Sequence, residues 1–397
     1  MTFSGDIKAI TGNAAWPAAI RLLRRHLNER GYHVLYKSMV PPGSYVVTPS
    51  FFSRALLGLA ARQAAGPGSG FPGCALARCL TAHVPVPESE LDGEERELAQ
   101  ALASLGMLTL DGGLVSPGSI QLLSVGGRYL FIDAAIHFPG KAIHDIYIGP
   151  DSLLLMHCMG DVAAGKESRA LDLCSGSGVI GLYMAKTHAH VVSTDISPAA
   201  LALIRVNAAL NGTEEKTSVR EEALRNTLAA ADRFDLVACN PPFVAIPPGF
   251  DRPLYAAGPD HDGLGYMRML LDKVPDILNE DGEGYFVADM PGDGLGAYFF
   301  RELAAFSTRG VCAVDALVMN RVDAGYQARM MAIFQRSMRP GSDAAETEAL
   351  ARRFILGDLR ASHYYLTVVK IRKGGKTGTR VFNQFAVRRF DDYFAGL

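Results

Sequence analysis

Hydrophobic and polar positions follow two different periods along this chain. In the front part, apolar residues recur every three to four positions, as in Ile20, Leu23 and Leu27. This spacing predicts helices over about 14–30, 49–62, 74–82 and 92–105, with a glycine-rich break at 66–70. A hairpin is predicted from Met107 to Val115, turning at Asp111-Gly112-Gly113.

Helices followed by a hairpin predict a winged-helix-like domain over residues 1–118. Such a module can bind DNA, but in many enzymes it serves for dimerisation or as a substrate lid. The helix at 92–105 has no basic stripe, which argues against DNA binding. The cluster of Arg21, Arg24 and Arg25 is interpreted as a solvated helix face.

Beyond about residue 119, short apolar runs alternate with helical patterns, which predicts an α/β domain over 119–397 built on parallel strands. Predicted strands are Ala170–Leu173, Val191–Thr194, Phe234–Cys239, Gly284–Ala288 and Tyr364–Val369. Helices are predicted from Val179, from Ser197-Pro198 to Gly212, and over 264–278, with Ser197 as N-cap.

The most informative segment is Asn240-Pro241-Pro242-Phe243, which follows a predicted buried strand. Two prolines cannot continue a strand, so the chain leaves the sheet at Asn240. Ligands of open α/β folds bind at this edge. The Asn240 oxygen and the Pro241 carbonyl can accept two N–H donors, and Phe243 offers a stacking face.

A second candidate segment is a turn of small residues between a strand and a helix. Its members are Asp172, Cys174, Ser175, Gly176, Ser177 and Gly178. The glycines also fit a dinucleotide-binding pattern, which is a weak signal. An acid at the strand tip disfavours a pyrophosphate but suits a cationic sulfonium, so the segment favours S-adenosyl-L-methionine over a nicotinamide cofactor. A nicotinamide-dependent oxidoreductase stays a distant alternative.

The next predicted strand ends at Asp195-Ile196. An acid in this position is suited to accept both ribose hydroxyls of an adenosyl group. Alternatively, Asp195 only caps the following helix. The neighbouring glycine turn and the Asn-Pro-Pro-Phe segment favour the role in cofactor binding.

Composition restricts the class of protein. The chain has 397 residues, 49% of them hydrophobic, and a formal charge of -2, so no overall positive field attracts nucleic acid. Six cysteines without a C-x-x-C pair predict neither a metal site nor a disulfide framework. No apolar run approaches a membrane span, and the first residues do not resemble a signal peptide, so we expect a cytoplasmic protein without membrane partners.

Together these motifs resemble class I methyltransferases with an Asn-Pro-Pro-aromatic signature, closest to the release-factor glutamine methyltransferases and related small methyltransferase domains. The resemblance covers about residues 119–371 and includes two further segments, Tyr147–Ser152 and Gly258–Leu264. It implies a seven-stranded Rossmann-like sheet, S-adenosyl-L-methionine as cofactor, and Asn240–Phe243 as the catalytic segment.

The chain departs from the family pattern after the third strand. The family usually has an acid near the adenine, where this chain has Ala223. Glu222 or a backbone group would then supply that contact. The front of the chain is also longer than the family's helical domain, so the resemblance does not identify the substrate of this chain.

For the acceptor, the sequence favours slightly a nitrogen of a small molecule. A protein glutamine, or an adenine or guanine amine of RNA or DNA, is the main alternative. A sulfur or carboxylate acceptor, reaction of the cofactor with itself, and a non-catalytic nucleic-acid-binding scaffold also remain open, as does a homodimer. Near the end of the chain, basic residues around Gly374-Gly375 predict a hairpin loop, and 339–350 a surface insertion leading into a helix.

Overall fold

A computed structural model describes residues 3–33, 75–134, 146, 148–160, 165, 167–229, 232–339, 341–374 and 377–383. Structural statements below refer to these residues. The predicted helix at 49–62, the break at 66–70, Tyr147 and Lys376 lie outside them. Within them, no helix is both long and apolar enough to span a membrane.

Helices and strands alternate through most of the described chain. The helices are α1 (Phe3–Gly12), α2 (Trp16–Glu29), α3 (Ala75–Ala82), α4 (Gly93–Ser104), α5 (Pro150–Met159), α6 (Val179–Met184), α7 (Pro198–Asn211), α8 (Leu224–Ala229), α9 (Gly265–Ile277), α10 (Phe300–Ser307), α11 (Ala324–Met338) and α12 (Ala344–Arg353). The strands are β1 (Val86–Pro87), β2 (Leu108–Asp111), β3 (Leu114–Pro117), β4 (Ile120–Val125), β5 (Arg128–Asp133), β6 (Arg169–Leu173), β7 (His190–Asp195), β8 (Thr217–Glu221), β9 (Phe234–Cys239), β10 (Leu278–Asp293), β11 (Gly296–Ala297), β12 (Cys312–Asp323), β13 (His363–Lys373) and β14 (Gly378–Asn383).

The chain divides into two compact units. The first contains Met1–Pro150, Ser175–Lys186 and His190–Glu221. The second contains Asp151–Cys174, Thr187–Ala189 and Glu222–Leu397. Each unit is described by itself.

The front of the first unit has helices followed by a small sheet of order β1-β3-β2. The predicted hairpin is present, with Leu108 opposite Pro117 and Asp111 opposite Leu114. Its turn residues Gly112 and Gly113 have φ of +58° and +77°. Two consecutive positive φ values are the requirement of a type I′ turn, which glycine meets without steric cost.

The arginines of α2 correct one sequence expectation. Arg21 pairs with Glu214 at 3.1 Å, and Arg24 donates to the carbonyl of Ala209 at 2.9 Å. Arg24 therefore satisfies a free carbonyl at the C-terminal end of α7. Arg24 therefore does not lie on a solvated helix face, whereas Arg21 stays 52% exposed.

Helix α7 begins and ends as its sequence predicts. The Ser197 hydroxyl accepts from the backbone N–H of Ala200, and Gly212 closes the helix with φ of +67°. Two asparagines one turn apart, Asn207 and Asn211, bind the backbone of β5. The side chain of Asn211 accepts from the N–H of Tyr129 at 2.9 Å and donates to its carbonyl at 2.7 Å. This pairing fixes the β4–β5 hairpin on α7. The first unit also contains the parallel pair β7–β8.

The second unit contains a sheet with the strand order β14-β12-β13-β10-β9-β6. Strands β6, β9 and β10 are parallel, and β13 runs antiparallel to β10 and β12. Parallel strands buried among helices are an α/β arrangement. The predicted α/β class with a mostly parallel sheet is therefore confirmed.

The predicted basic hairpin after β13 is wrong, because β14 pairs with β12 and not with β13. Three of the basic residues there, Lys370, Lys373 and Arg380, also have partners. Lys370 lies 2.6 Å from Glu283, Arg380 binds Asp315 through two contacts of 2.7 Å, and Lys373 donates to a backbone carbonyl.

A helical insertion separates β12 from β13. It consists of α11, α12 and a π-helix at Phe354–Asp358. Its buried residues Ala328, Met331 and Phe354 belong to one hydrophobic cluster with Ala245 and Tyr364. The insertion therefore packs on the chain just after the Asn-Pro-Pro-Phe segment.

Candidate cofactor and acceptor sites

The first group of predicted site residues is the small-residue turn after β6. Cys174, Gly176 and Gly178 all have positive φ, of +54°, +53° and +78°. The N–H of Ser175 donates to the carbonyl of Thr194 at 3.0 Å, and the N–H of Gly178 to that of Ser175 at 2.8 Å. The turn is thus tightly curled. A non-glycine residue in the left-handed region, as at Cys174, marks a position worth functional attention.

Gly178 is needed for packing as well as for its backbone conformation. A Cβ atom there would lie 3.0 Å from Cγ1 of Ile204 on α7. Behind the turn, the buried side chain of Asn207 donates to the carbonyl of Ser177 at 2.9 Å. Glycine and asparagine together hold this turn against α7.

Asp195 lies at the end of β7 and braces the same turn. One carboxylate oxygen accepts from the N–H of Gly176 at 2.9 Å, and the other from the N–H of Ser197 at 2.8 Å. Burial raises the pKa of Asp195, and these backbone contacts oppose the increase. Each oxygen retains a lone pair for a further donor, so the half-buried carboxylate fits a ribose diol. Ile196 beside it is 46% exposed.

In the second unit, Asp172 is fully buried on β6, opposite Ala238 of β9. Tyr266 of α9 is close enough to Cys174 and Cys239 for their charges to contribute to its raised pKa, although burial is the main cause. Sequence reasoning missed Tyr266.

Asn240 follows β9 directly, as predicted, and its amide is fixed from one side. The Nδ2 atom donates to Oδ2 of Asp151 at 3.0 Å and to Oγ of Ser152 at 2.9 Å. Both partners lie in the first turn of α5. With both amide hydrogens committed, the amide cannot flip, and Oδ1 is presented on the other side as an acceptor. The sequence singled out the segment of Asp151 and Ser152 only as a family resemblance.

The loop after Asn240 is held by backbone contacts. Pro241 is buried, whereas Pro242 and Phe243 are half-buried. The N–H of Val244 donates to the carbonyl of Ala256 at 2.8 Å. A Cβ on Gly263 would lie 2.3 Å from the carbonyl oxygen of Phe243, so only glycine allows this approach.

The helical insertion also binds this loop through side-chain contacts. The buried side chain of Gln335 accepts from the N–H of Asp251 at 2.9 Å and donates to its carboxylate at 3.1 Å. Arg339 adds a contact of 2.7 Å to the same carboxylate. Nothing in the sequence pattern connects these distant positions.

Glu222 and Ala223 lie just before α8. The hydroxyl of Thr227 donates to the Glu222 carboxylate at 3.0 Å, and the Ala223 carbonyl accepts from Asn226 at 2.8 Å. Both residues thus take part in starting the helix. An adenine contact from either one stays a prediction.

An unexpected carboxyl group lies on β10. Burial raises the pKa of Asp289 to about 7, a hydrogen bond from Gln327 lowers it, and the charge of Asp151 adds to the increase. Asp289 therefore lies within electrostatic range of the residue that holds Asn240. An acid within the apolar run from Tyr285 to Ala288 and Met290 was the available sequence signal, and it was missed.

Comparison with known proteins supports the motif assignment. Residues 147–247 match the family model of the methyltransferase small domain. This segment contains the glycine turn, Asp195 and Asn240–Phe243. This segment of the chain is therefore similar to the methyltransferase small domain.

Three curated relatives show what this part of the chain resembles. A ribosomal protein uL3 glutamine methyltransferase of Bordetella pertussis is 33% identical over 29% of this chain and 41% of its own length. A release factor glutamine methyltransferase of Clostridium acetobutylicum is 27% identical over 34% of this chain and 51% of its own. A ribosomal RNA large subunit methyltransferase F of Pseudomonas putida is 35% identical over 27% of this chain and 35% of its own.

The chain thus spans about half or less of the length of each of these relatives. By their names, they act on proteins or ribosomal RNA. The small-molecule acceptor favoured by the sequence gains no support from them, and its alternative of a protein or nucleic-acid acceptor is the better supported one.

Proposed function

We propose that this protein is an S-adenosyl-L-methionine-dependent methyltransferase that methylates the side-chain amide nitrogen of a protein glutamine. The observation that carries the proposal is the fixed amide of Asn240, which Asp151 and Ser152 hold at 3.0 and 2.9 Å. Its oxygen is thereby presented to an N–H donor.

Each unit, taken by itself, contains residues that suit the cofactor. Asp195 has a lone pair on each oxygen for the ribose hydroxyls, and the turn at Ser175–Gly178 lets the backbone approach a ligand closely. Asp172 supplies a negative charge that suits the cationic end of the molecule. When bound, S-adenosyl-L-methionine supplies an already activated methyl group.

The chain's own residues then act on the acceptor nitrogen. Asn240 Oδ1 and the Pro241 carbonyl accept its two N–H groups, which orients the nitrogen and increases its electron density. The same acceptors stabilise the positive charge that develops on nitrogen as it is methylated. No strong base is needed, since the methylated amide nitrogen loses a proton readily. The half-buried Phe243 supports the planar amide by stacking.

Charge favours a protein over a nucleic-acid acceptor. Asp151 binds the amide nitrogen of Asn240, Asp289 lies within electrostatic range of Asp151, and carboxylates this near the site would repel phosphates. Lys370 and Arg380, near the end of the described chain, are already paired with acids, which reduces the positive charge that they offer to phosphates. Two of the three relatives described above are named as glutamine methyltransferases.

The test is to follow a labelled methyl group. The purified protein is incubated with methyl-labelled S-adenosyl-L-methionine and a cell extract, and protein, RNA and metabolites are then separated. We expect label in protein, at glutamine after proteolysis and mass spectrometry. The Asn240→Ala variant should reduce this labelling strongly while its affinity for the cofactor stays within a few-fold of the wild type.

Each other outcome identifies a different function. Label in RNA would identify a base amine as the acceptor in place of glutamine. Label in metabolites would identify a small molecule as the acceptor. Cofactor binding without any labelled acceptor would favour self-reaction or a binding scaffold.

A further inference from the structure

The strand β10 extends past the edge where β9 ends. Its last parallel pair with β9 is Phe286 opposite Cys239, and Asn240 follows Cys239 directly. Asp289 is three residues further along β10. It therefore lies beyond the carboxyl edge of the parallel strands, at the level where the Asn240 loop begins.

Asp289 and Tyr364 share one face of this extension. In the antiparallel pair of β10 and β13, Asp289 is opposite Leu366 and Pro291 is opposite Tyr364. Residues two apart on a strand, and residues directly opposite each other, point to the same face. The negative charge of Asp289 contributes to raising the pKa of Tyr364, although burial is the main cause.

The hydroxyl of Tyr364 is buried and has no hydrogen-bond partner among the described residues, and the residue is 2% exposed. A buried phenol usually finds a partner, because leaving it unsatisfied is unfavourable. Tyr364 packs in one cluster with Ala245, two residues after Phe243, and with Ala324 and Ala328 of α11.

Helix α11 supplies a third polar group. Gln327 donates a side-chain hydrogen bond to Asp289. Asp289 is in turn within electrostatic range of Asp151, which binds Asn240 at 3.0 Å. A carboxyl, an amide and a phenol without a partner among the described residues thus lie near one another, and the carboxyl lies within electrostatic range of the residue that holds Asn240.

We propose that Asp289, Gln327 and Tyr364 form a subsite beside Asn240 that recognises the neutral carboxamide of a glutamine side chain and rejects the carboxylate of glutamate. This rests on the proposed function, since it concerns the acceptor of the same site. Tyr364 donates to the carboxamide oxygen, which satisfies its hydroxyl. Asn240 and Pro241 accept its two N–H groups, and above about pH 7 the negative charges of Asp289, which Gln327 hydrogen-bonds, and of Asp151 repel a carboxylate.

The test is a binding measurement that needs no turnover. The probes are N-acetyl-glutamine N-methylamide and N-acetyl-glutamate N-methylamide, added to the full chain with S-adenosylhomocysteine and followed by saturation-transfer NMR. The wild type should bind the glutamine probe at least about tenfold more tightly than the glutamate probe. Tyr364→Phe should weaken the glutamine probe by about tenfold. At pH 8, where Asp289 is ionised, Asp289→Asn should reduce the preference by improving binding of the glutamate probe.

Tyr285→Phe is the matched control. Tyr285 lies on the same strand β10, and its hydroxyl is bonded to Glu283 at 2.8 Å. This variant should bind both probes as the wild type does. If Asp289 had only a structural role, Asp289→Asn would weaken the binding of both probes to the same extent and would leave the preference between them unchanged.

Three results would refute the subsite. The wild type could bind the two probes equally, or it could fail to bind the glutamine probe. Alternatively, Tyr364→Phe and Asp289→Asn could bind both probes as the control Tyr285→Phe does. Failure of the proposed function is distinguishable from failure of the subsite, because it would appear as label on RNA or metabolites in the methyl-transfer experiment. Preference for the glutamine probe together with label on RNA would retain the polar subsite but refute its assignment to the substrate.

Discussion

The Nδ2 atom of Asn240 lies 3.0 Å from the Oδ2 atom of Asp151, although 89 residues separate them in the chain. This contact, with the one to Ser152, decides which end of the Asn240 amide is left for an acceptor. The orientation of the Asn240 side chain thus depends on the first turn of helix α5.

Removing either support should impair turnover more than cofactor binding. We expect Asp151→Ala and Ser152→Ala each to lower kcat about tenfold, since a lost hydrogen bond of ~1–1.5 kcal/mol lets the amide rotate. Steady-state kinetics and calorimetric titration of the cofactor measure the two effects. Ser307→Ala, which removes an unrelated hydroxyl on α10, serves as control. A loss of cofactor affinity as large as the loss of kcat would contradict the positioning role.

Asp195 should govern affinity for the cofactor. Asp195→Ala removes the acceptor of the Gly176 and Ser197 N–H groups and the proposed ribose contact, so we expect the Kd of S-adenosyl-L-methionine to rise about 10- to 100-fold. Asp195→Asn keeps one oxygen acceptor, so its Kd for the cofactor should lie between the values of the wild type and of Asp195→Ala. Isothermal titration calorimetry checks this. An unchanged Kd in Asp195→Ala would leave Asp195 as a helix-capping residue only.

Gly178 is expected to tolerate no side chain. Gly178→Ala places a Cβ in the left-handed region, at ~1–2 kcal/mol, and against Ile204, at a further ~1–3 kcal/mol. Gly106→Ala is the matched control, because Gly106 has φ of +74° but no atom within 4 Å of its added Cβ. The urea midpoint should fall more for Gly178→Ala than for Gly106→Ala. Equal shifts would show that the Ile204 contact relaxes freely.

The carboxyl of Asp289 should make stability depend on pH. Its pKa is raised from 3.8 to about 7 in the folded chain, so its contribution to stability is present below pH 4 and is lost as pH rises through about 7. Asp289→Asn should therefore raise the free energy of unfolding relative to the wild type by about 2–4 kcal/mol at pH 8, and by less at pH 5. Urea titrations at both pH values measure the difference. Asp276→Asn, on an exposed position of α9, is the control, and a pH-independent gain in Asp289→Asn would refute the raised pKa.

Local chemistry made much of the fold and of the candidate site predictable. Apolar runs specified where β6, β7 and β9 lie, because buried strands need continuous hydrophobic residues. Ser197 and Gly212 specified the ends of α7, and the two prolines after Asn240 specified where the chain leaves the sheet. Each of these signals acts within a few residues of its position.

Only the tertiary structure decided which distant groups meet. It paired β14 with β12 in place of the expected hairpin, bound Arg24 to the end of α7, and placed the helical insertion on the Asn240 loop. It also assigned Asp151 and Ser152 to Asn240 and enclosed Asp289. Such pairings depend on strand order and on long-range packing, and no periodicity within one segment contains that information.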